Sequence, residues 1–280
     1  MLQACPRTPV PRPALALAAV VALLPAAARA GEAPCWFEQG VVVVPAVVAG
    51  VAGDYILDTG APATLLDETR AQGAGFEASA LQGEVRVAGL RLPDRPILVA
   101  DLDARTAAFP TPIAGVIGAD VLAGRILDID FAPCRIALNA EGRSPRFHAD
   151  GSLPFRLDRG TPVIAAAVAD GPRALSGGFV ASTGADAPVR LDGSVASVPG
   201  APKPERLAPF GPGRASLRAL SVGGILFENL KGGLSPASEG ATLGVIGAQV
   251  LAHWTVRFDF VGAQLLLAKK KGPPDLSDEP

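Results

Sequence analysis

Residues 115–138 read GVIGADVLAGRILDIDFAPCRIAL, and residues 244–267 read GVIGAQVLAHWTVRFDFVGAQLLL. The two stretches align without a gap at an offset of 129 residues, and eleven of the 24 aligned positions are identical. Self-similarity over such a distance is typical of a duplicated structural unit. The sequence therefore predicts two related halves, each containing the same short apolar pattern.

A second pair of matching stretches precedes the first pair in the same order. YILDTGAPATLLDE (residues 55–68) corresponds to FVASTGADAPVRLDG (residues 179–193), with Gly60 matching Gly184 at an offset of 124 residues. We therefore expect one lobe over residues 31–140 and a second over residues 153–268. Residues 141–152, EGRSPRFHADGS, are predicted to link them. Residues 269–280, KKKGPPDLSDEP, are predicted to form a disordered tail.

The first thirty residues have the pattern of a secretory signal peptide. Arg7 and Arg12 precede an apolar run over residues 14–28, which ends in the small-residue pattern Ala28-Arg29-Ala30. The run is shorter than the roughly 20 residues of a membrane helix. We expect a secreted or periplasmic protein with no stable membrane span after cleavage. An uncleaved N-terminal anchor is the alternative.

Cys35 and Cys134 are the two thiols that remain after removal of that segment. An even number in an oxidising compartment predicts a disulfide between them, and two unpaired buried cysteines are the alternative. The two histidines, His148 and His253, stand apart and no Cys-x-x-Cys is present. We therefore expect neither a metal site nor a cofactor.

The composition favours a β-protein with an aliphatic core. Apolar residues make up 49% of the chain and charged residues 19%, which excludes intrinsic disorder, and the 32 Gly and 27 Pro residues suit short strands joined by turns. The formal charge of −2 makes nucleic acid an unsuitable partner. Short apolar runs predict strands, and one short helix per half is predicted after a Gly, at Ala119 and at Ala248.

The candidate chemistry lies in Ile56-Leu57-Asp58-Thr59-Gly60-Ala61, where a carboxylate and a hydroxyl follow an apolar strand and a Gly allows a sharp turn. Val116-Ile117-Gly118-Ala119-Asp120 follows about 58 residues later and could pack behind that turn. With both motifs repeated, the chain resembles the retropepsin-like aspartic proteases over nearly all of its length after the signal segment.

The resemblance implies an all-β, bilobal fold in which two closed barrels are related by a pseudo-twofold axis. In that family each lobe gives one loop to a shared cleft, where two aspartates hold a water molecule and a single proton. Asp58 matches a catalytic aspartate. Thr59 and Thr183 match the threonines whose hydroxyls lock the two loops together. Gly60 and Gly184 match the glycines of the turns. The same resemblance assigns substrate contacts to Ala61 and Asp186.

One position departs from the family pattern, because Ser182 stands where the second lobe should carry its aspartate. A serine hydroxyl donates a hydrogen bond but does not act as an acid near neutral pH. General acid–base catalysis contributes about 10²–10⁴-fold in rate, so losing one partner should cost about that much.

We therefore expect an aspartic-type endopeptidase with an asymmetric Asp58/Ser182 site, acting as a monomer on a peptide or protein substrate. The alternative is a weak or inactive pseudoprotease that binds extended peptides in the cleft. A dimer that brings two copies of Asp58 together conflicts with the tandem repeat, and an ordinary turn in an unrelated β-protein remains a further interpretation.

Two hairpins are candidates for a flap over the cleft. Residues 84–98 would carry Gly89 at the tip, and residues 216–230 would carry Gly223 and Gly224. We expect Gly89 and Gly223 to contact substrate.

Overall fold

The computed structural model describes residues 31–169, 174–197, 215–235, 237 and 242–270. The predicted signal segment, residues 1–30, and residues 271–280 of the predicted tail lie outside the described residues. Of the helices that the structure describes, none has the length and apolar character that a membrane span requires.

The first half of the chain folds into short strands with three short helices. The strands are β1 (Glu32–Pro34), β2 (Trp36–Glu38), β3 (Val41–Val48), β4 (Val51–Leu57), β5 (Leu65–Asp67), β6 (Ala80–Val87), β7 (Leu90–Ala100), β8 (Ile113–Ile117), β9 (Arg125–Phe131) and β10 (Cys134–Ala140). The helices are α1 (Glu68–Gly73), α2 (Asp103–Thr106) and α3 (Ala119–Leu122).

The second half repeats this arrangement. Its strands are β11 (Gly151–Asp158), β12 (Thr161–Ala169), β13 (Ala174–Ala181), β14 (Val189–Leu191), β15 (Ala215–Val222), β16 (Ile225–Leu234), β17 (Gly244–Ile246), β18 (Trp254–Asp259) and β19 (Gln264–Lys269). Its helices are a 3-10 turn (Gly193–Ser197) and α4 (Ala248–Leu251). The helices predicted after Gly118 and Gly247 are confirmed as α3 and α4.

Each half closes into a six-stranded barrel. In the first lobe the strand order is β3-β4-β8-β5-β7-β6, and β6 pairs back onto β3. In the second lobe the order is β12-β13-β17-β14-β16-β15, and β15 pairs back onto β12. Alternating buried and exposed residues, as in β12, point one face of each strand into the barrel. The predicted all-β fold of two closed barrels is confirmed.

A six-stranded antiparallel sheet joins the two lobes. Its order is β1-β10-β9-β18-β19-β11, and the equivalent strands β9 and β18 pair at its centre. The predicted disulfide, Cys35–Cys134, is confirmed at the edge of this sheet and links residues 99 positions apart. The sheet and the disulfide together fix the N-terminal strands to the far end of the first lobe.

The prediction that the two long hairpins form flaps is wrong. The tip of β6–β7 lies against the N-terminal segment, where Gly31 N donates to Ala88 O at 3.0 Å. Val87 in β6 faces Ala46, which pairs with Gly53, five residues before Asp58 along β4. At about 3.3 Å per residue, that places Val87 roughly 16 Å along the sheet from the level of Asp58.

The second hairpin also lies away from the cleft. A Cβ added at Gly223 would lie 2.7 Å from Leu267 Cδ1 and 3.2 Å from Trp254, which belong to strands of the interlobe sheet. Gly89 and Gly223 are therefore not placed to contact a substrate at Asp58. Both hairpins close their barrels instead, because their alternating pattern supplies a buried face for the barrel interior.

Candidate active site

The two motif loops leave their lobes at equivalent places. Asp58 follows β4, and its backbone N–H donates to Ile117 O at the end of β8 at 2.9 Å. Ser182 follows β13, and its N–H donates to Ile246 O at the end of β17, also at 2.9 Å. In each lobe a parallel strand pair ends at the loop. The duplicated strands therefore deliver the two loops to the same junction between the lobes.

Two threonines cross-link the loops. Thr59 Oγ1 donates to Ala181 O at 2.6 Å, and Thr183 Oγ1 donates to Leu57 O at 2.6 Å. Each hydroxyl also accepts from the other threonine's backbone N–H, at 3.1 Å in both directions. Both side chains are fully buried, so these bonds are shielded from water. This four-bond threonine cross-link holds the Asp58 loop and the Ser182 loop in contact.

The two loop glycines allow the close approach. A Cβ added at Gly60 would lie 2.6 Å from Ser182 Cβ, and one added at Gly184 would lie 2.4 Å from Asp58 Cγ. Contacts this short exclude any larger side chain at either position. Gly60 and Gly184 are therefore required for the two functional side chains to meet.

Asp58 is buried, and one of its carboxylate oxygens is held by both lobes. Its Oδ1 accepts from Ser182 Oγ at 2.7 Å, from Gly60 N at 2.8 Å and from Gly184 N at 3.3 Å. The Asp58 residue is 5% exposed and Ser182 is 3% exposed. The hydroxyl proton of Ser182 is directed at Asp58 Oδ1, and the Ser182 oxygen accepts from Gly184 N at 3.2 Å. Ser182 therefore positions the Asp58 carboxylate from the opposite lobe.

Arg105 contacts the other carboxylate oxygen. Its Nη2 lies 2.6 Å from Asp58 Oδ2 and donates to Gly184 O at 3.1 Å, so the guanidinium bridges the two loops. The side chains of Arg105 and Asp58 are 14% and 8% exposed. An ion pair with this little exposure is weakly screened by solvent. The Asp58 carboxylate thus lies between the Ser182 hydroxyl and the Arg105 guanidinium.

The segment that carries Arg105 is fixed beside the first barrel. Leu102 is buried in a small apolar cluster with Val41, Val43 and Ile56. Its carbonyl oxygen accepts from the backbone N–H groups of Arg105 and Thr106, each at 2.9 Å. The anchored turn therefore delivers the Arg105 side chain to the cleft from a defined position.

The Asp58 loop is supported from behind by the start of α3. Ala119 N donates to Ala61 O at 2.7 Å, and Ala61 N donates to Asp58 O at 3.2 Å. Thr64 Oγ1 donates to Asp120 Oδ1 at 2.8 Å and accepts from Gly118 N at 3.1 Å. Burial raises the pKa of the Asp120 carboxyl, and the hydrogen bonds that this carboxyl itself accepts, first that from the Thr64 side chain, oppose the rise only in part.

Asp186 lies in the same loop as Ser182 and is ion-paired with Arg190, four residues later. Burial raises the pKa of the Asp186 carboxyl, while the charges of Arg190 and Arg105 oppose that rise. The second-lobe side of the cleft therefore carries the ion pair of Asp186 and Arg190.

The sequence located most of this cluster. The structure brings Asp58, Thr59, Gly60, Ser182, Thr183 and Gly184 together, with Ala61 and Asp186 beside them, and leaves Gly89 and Gly223 elsewhere. A groove of about 550 Å³ lies at the β6–β7 turn, lined by Arg86, Gly89 and Arg91 among others, and is thus remote from Asp58. Arg105 was missed, because its segment, Asp103-Ala-Arg-Thr, matches no motif.

No protein-family model matches the chain, and no curated protein does so either. Among solved structures, the chain is similar to that of the aspartic proteinase from Irpex lacteus, with a TM-score of 0.52 and 14% sequence identity. The match covers 86% of this chain and 97% of that one. At 14% sequence identity this structural similarity establishes the fold alone, which is that of a bilobal aspartic proteinase.

Proposed function

We propose that the chain is a retropepsin-like aspartic endopeptidase that hydrolyses peptide bonds with Asp58 as its one catalytic carboxylate. The observation that carries this proposal is the hydrogen bond of 2.7 Å between Ser182 Oγ and Asp58 Oδ1, formed between the lobes inside the threonine cross-link. It supports a single interlobe site in which a buried carboxylate is held at a fixed position, as general base catalysis requires.

The chemistry needs a base and then an acid, and one carboxylate can serve as both. Asp58 takes a proton from a water molecule as the water oxygen bonds to the peptide carbonyl carbon, and the carbonyl π pair moves to its oxygen. The protonated Asp58 then gives that proton to the amide nitrogen as the C–N bond breaks. The C=O bond re-forms, and the products are a carboxylic acid and an amine.

Ser182 makes this site slower than one with two carboxylates. Ser182 holds Asp58 Oδ1, so we propose that water reaches Asp58 at Oδ2, beside Arg105. Ser182 provides no carboxylic acid to protonate the carbonyl oxygen. General acid–base partners contribute about 10²–10⁴-fold each. We therefore propose a low rate of cleavage and a substrate bound as an extended chain between the lobes.

We propose that this activity is secreted or periplasmic. The Cys35–Cys134 disulfide supports this, because disulfides persist in oxidising compartments. We also propose that the protein acts as a monomer, because the second lobe already fills the place that a partner subunit would take beside Asp58.

The proposal is tested by comparing peptide cleavage by the wild type, Asp58→Asn and Asp94→Asn. Asp94 is exposed on β7 and has a φ of 52°, which Asn tolerates as well as Asp, so its variant is a matched control. Cleavage should be lost in Asp58→Asn and retained in Asp94→Asn. Equal rates in all three proteins would rule out Asp58 as the base.

A second candidate function is peptide binding without cleavage, which the ion pair between Arg105 and Asp58 Oδ2 favours. In that case the guanidinium would neutralise the carboxylate that the first proposal uses as its base. Peptide affinity that survives in Asp58→Asn, together with no turnover by the wild type, would distinguish this function from the first.

A further inference from the structure

We propose, building on the endopeptidase function above, that Arg105 is a catalytic residue. Its guanidinium polarises the carbonyl of the scissile peptide bond and stabilises the oxyanion that forms on it. In this role Arg105 does the work of the second carboxylic acid, which is missing because Ser182 stands at its position.

The site needs such a group because Ser182 cannot supply it. The Ser182 hydroxyl proton is committed to Asp58 Oδ1 at 2.7 Å, and Ser182 is 3% exposed. Ser182 has a single hydroxyl proton, already given to Asp58 Oδ1, and it carries no positive charge with which to stabilise an oxyanion. Another donor in the same part of the cleft must therefore stabilise the negative charge on the carbonyl oxygen.

Arg105 lies at that place. Its Nη2 contacts Asp58 Oδ2, the carboxylate oxygen that faces away from Ser182, and it also contacts Gly184 O on the opposite loop. A guanidinium carries five N–H donors in a planar fork, so it can contact a carboxylate and a neighbouring oxygen together. A peptide carbonyl attacked by water at Oδ2 would therefore lie within reach of Arg105.

The charge changes of the reaction also suit a fixed cation beside Asp58. In the first step a proton passes from water to Asp58 and negative charge moves to the carbonyl oxygen, with no net change of charge in the site. Arg105 pairs with the carboxylate before the step and with the oxyanion after it. A preorganised donor of this kind needs little reorganisation during the reaction.

The local structure holds Arg105 in position for this role. Leu102 is buried, and Thr106 Oγ1 donates to its carbonyl oxygen at 3.0 Å, beside the backbone bonds from Arg105 and Thr106. Asp101 Oδ1 accepts from Asp103 N at 2.9 Å and closes the start of the same turn. The turn is thus anchored on both sides of the arginine.

The proposal predicts a distinctive pH profile for the wild type. A pair of carboxylates must keep one proton, so its activity falls once both groups ionise. Arginine stays charged throughout the range in which proteins are stable. Cleavage by the wild type should therefore stay level through neutral pH, where a pair of carboxylates would have lost its single proton. A bell-shaped profile with its maximum in acid would overturn the proposal.

The variant test compares Arg105→Gln, Arg105→Lys and the wild type in peptide cleavage, with the thermal unfolding of each protein measured in parallel. Removing an oxyanion donor typically costs about 10²–10³-fold in kcat. We expect a loss of this size in Arg105→Gln, mainly in kcat, and a smaller loss in Arg105→Lys, which keeps the charge. Guanidinium ion added at millimolar concentration should restore part of the activity of Arg105→Ala.

The outcomes separate this proposal from the one on which it rests. If Asp58→Asn is inactive while Arg105→Gln cleaves as fast as the wild type or faster, Asp58 is the base and Arg105 only obstructs the cleft, which overturns the proposal. If the wild type shows no cleavage that depends on Asp58, the endopeptidase function fails, and a catalytic Arg105 fails with it.

Discussion

Asp128 and Arg257 occupy the same position in the two repeats, and they form an ion pair with each other. Strands β9 and β18 pair so that these two residues face each other, with Arg257 Nε 2.5 Å from Asp128 Oδ1 and Nη2 2.7 Å from Oδ2. A strictly repeated sequence would have placed identical charges opposite each other. Because one repeat has Asp and the other Arg at this position, each lobe presents a charge opposite to that of its partner lobe. Two copies of the same lobe would present like charges.

Reversing one of these charges should weaken the junction between the lobes. The side chains of Arg257 and Asp128 are 8% and 19% exposed, so screening is limited. We expect Asp128→Arg or Arg257→Asp to lower the free energy of unfolding by at least about 1.5–3 kcal/mol, the range for a hydrogen bond to a charged group, because like charges would then also face each other.

The double variant Asp128→Arg/Arg257→Asp is the control for this pair. It should recover part of that loss in urea unfolding. Full recovery is not expected, because Arg257 Nη2 also donates to Pro145 O and its guanidinium carbon lies 4.9 Å from the Phe147 ring centroid. A double variant no more stable than the less stable single variant would contradict direct pairing.

The two threonines of the cross-link should contribute equally to the free energy of unfolding, because their hydrogen bonds are equivalent. Thr59→Val and Thr183→Val each remove one hydroxyl that donates to a buried carbonyl and accepts from a buried N–H. Leaving such groups unpaired costs about 1–3 kcal/mol. We expect similar losses in the two valine variants.

The serine variants at the same positions provide the matched control, because serine keeps the hydroxyl. Thr59→Ser and Thr183→Ser should retain most of the stability, as measured by thermal unfolding. Valine variants as stable as the serine variants would show that the hydroxyl bonds contribute nothing.

Asp120 should make stability depend on pH. Its pKa is raised by burial, so the folded protein favours the protonated form. The stabilisation of the fold by protonated Asp120 is therefore complete at pH values below the ordinary carboxyl pKa, near 4. It is lost as the pH rises through the raised pKa of Asp120 in the folded protein. In Asp120→Asn, whose side-chain oxygen still accepts from Thr64, this loss should be absent.

The free energy of unfolding of the wild type should therefore fall relative to that of Asp120→Asn as pH increases from about 4 to 7. Parallel denaturant unfolding of the two proteins at several pH values measures the difference. A difference that stays constant, or that changes in favour of the wild type, would contradict a raised pKa at Asp120.

The disulfide should contribute strongly to stability, because it links residues 99 positions apart. A cross-link that closes a loop of about 100 residues stabilises by up to about 5 kcal/mol in the chain-entropy model. The double variant Cys35→Ala/Cys134→Ala should therefore unfold at a clearly lower urea concentration than the oxidised wild type. Equal midpoints would show that the interlobe sheet alone fixes the N-terminal strands.

The repeat made much of the fold and site predictable from sequence. Two copies of one pattern predict two equivalent lobes, and the resemblance to the retropepsin-like aspartic proteases implies that the loops at Asp58 and Ser182 meet where the lobes join. The same resemblance assigns the glycines and threonines around them, and the structure gives the physical reason at the glycines, where a Cβ would overlap the opposite loop.

The remaining features depend on contacts that leave no local pattern. Arg105 lies in a connection without a motif, and its place in the cleft follows from the burial of Leu102 against residues distant in sequence. From the sequence, the hairpin with Gly89 at its tip is a candidate flap. Its alternating residues serve to close the barrel against β3, which only the pairing of β6 reveals.

The most direct measurement is the rate of peptide cleavage by Ser182→Asp and by the wild type across pH 3–8. If Ser182 faces Asp58 in a catalytic cleft, the new carboxylate completes a pair, and the rate in acid should rise by about 10²-fold or more. A folded Ser182→Asp protein that cleaves peptides at the same rate as the wild type at every pH would contradict a shared catalytic site.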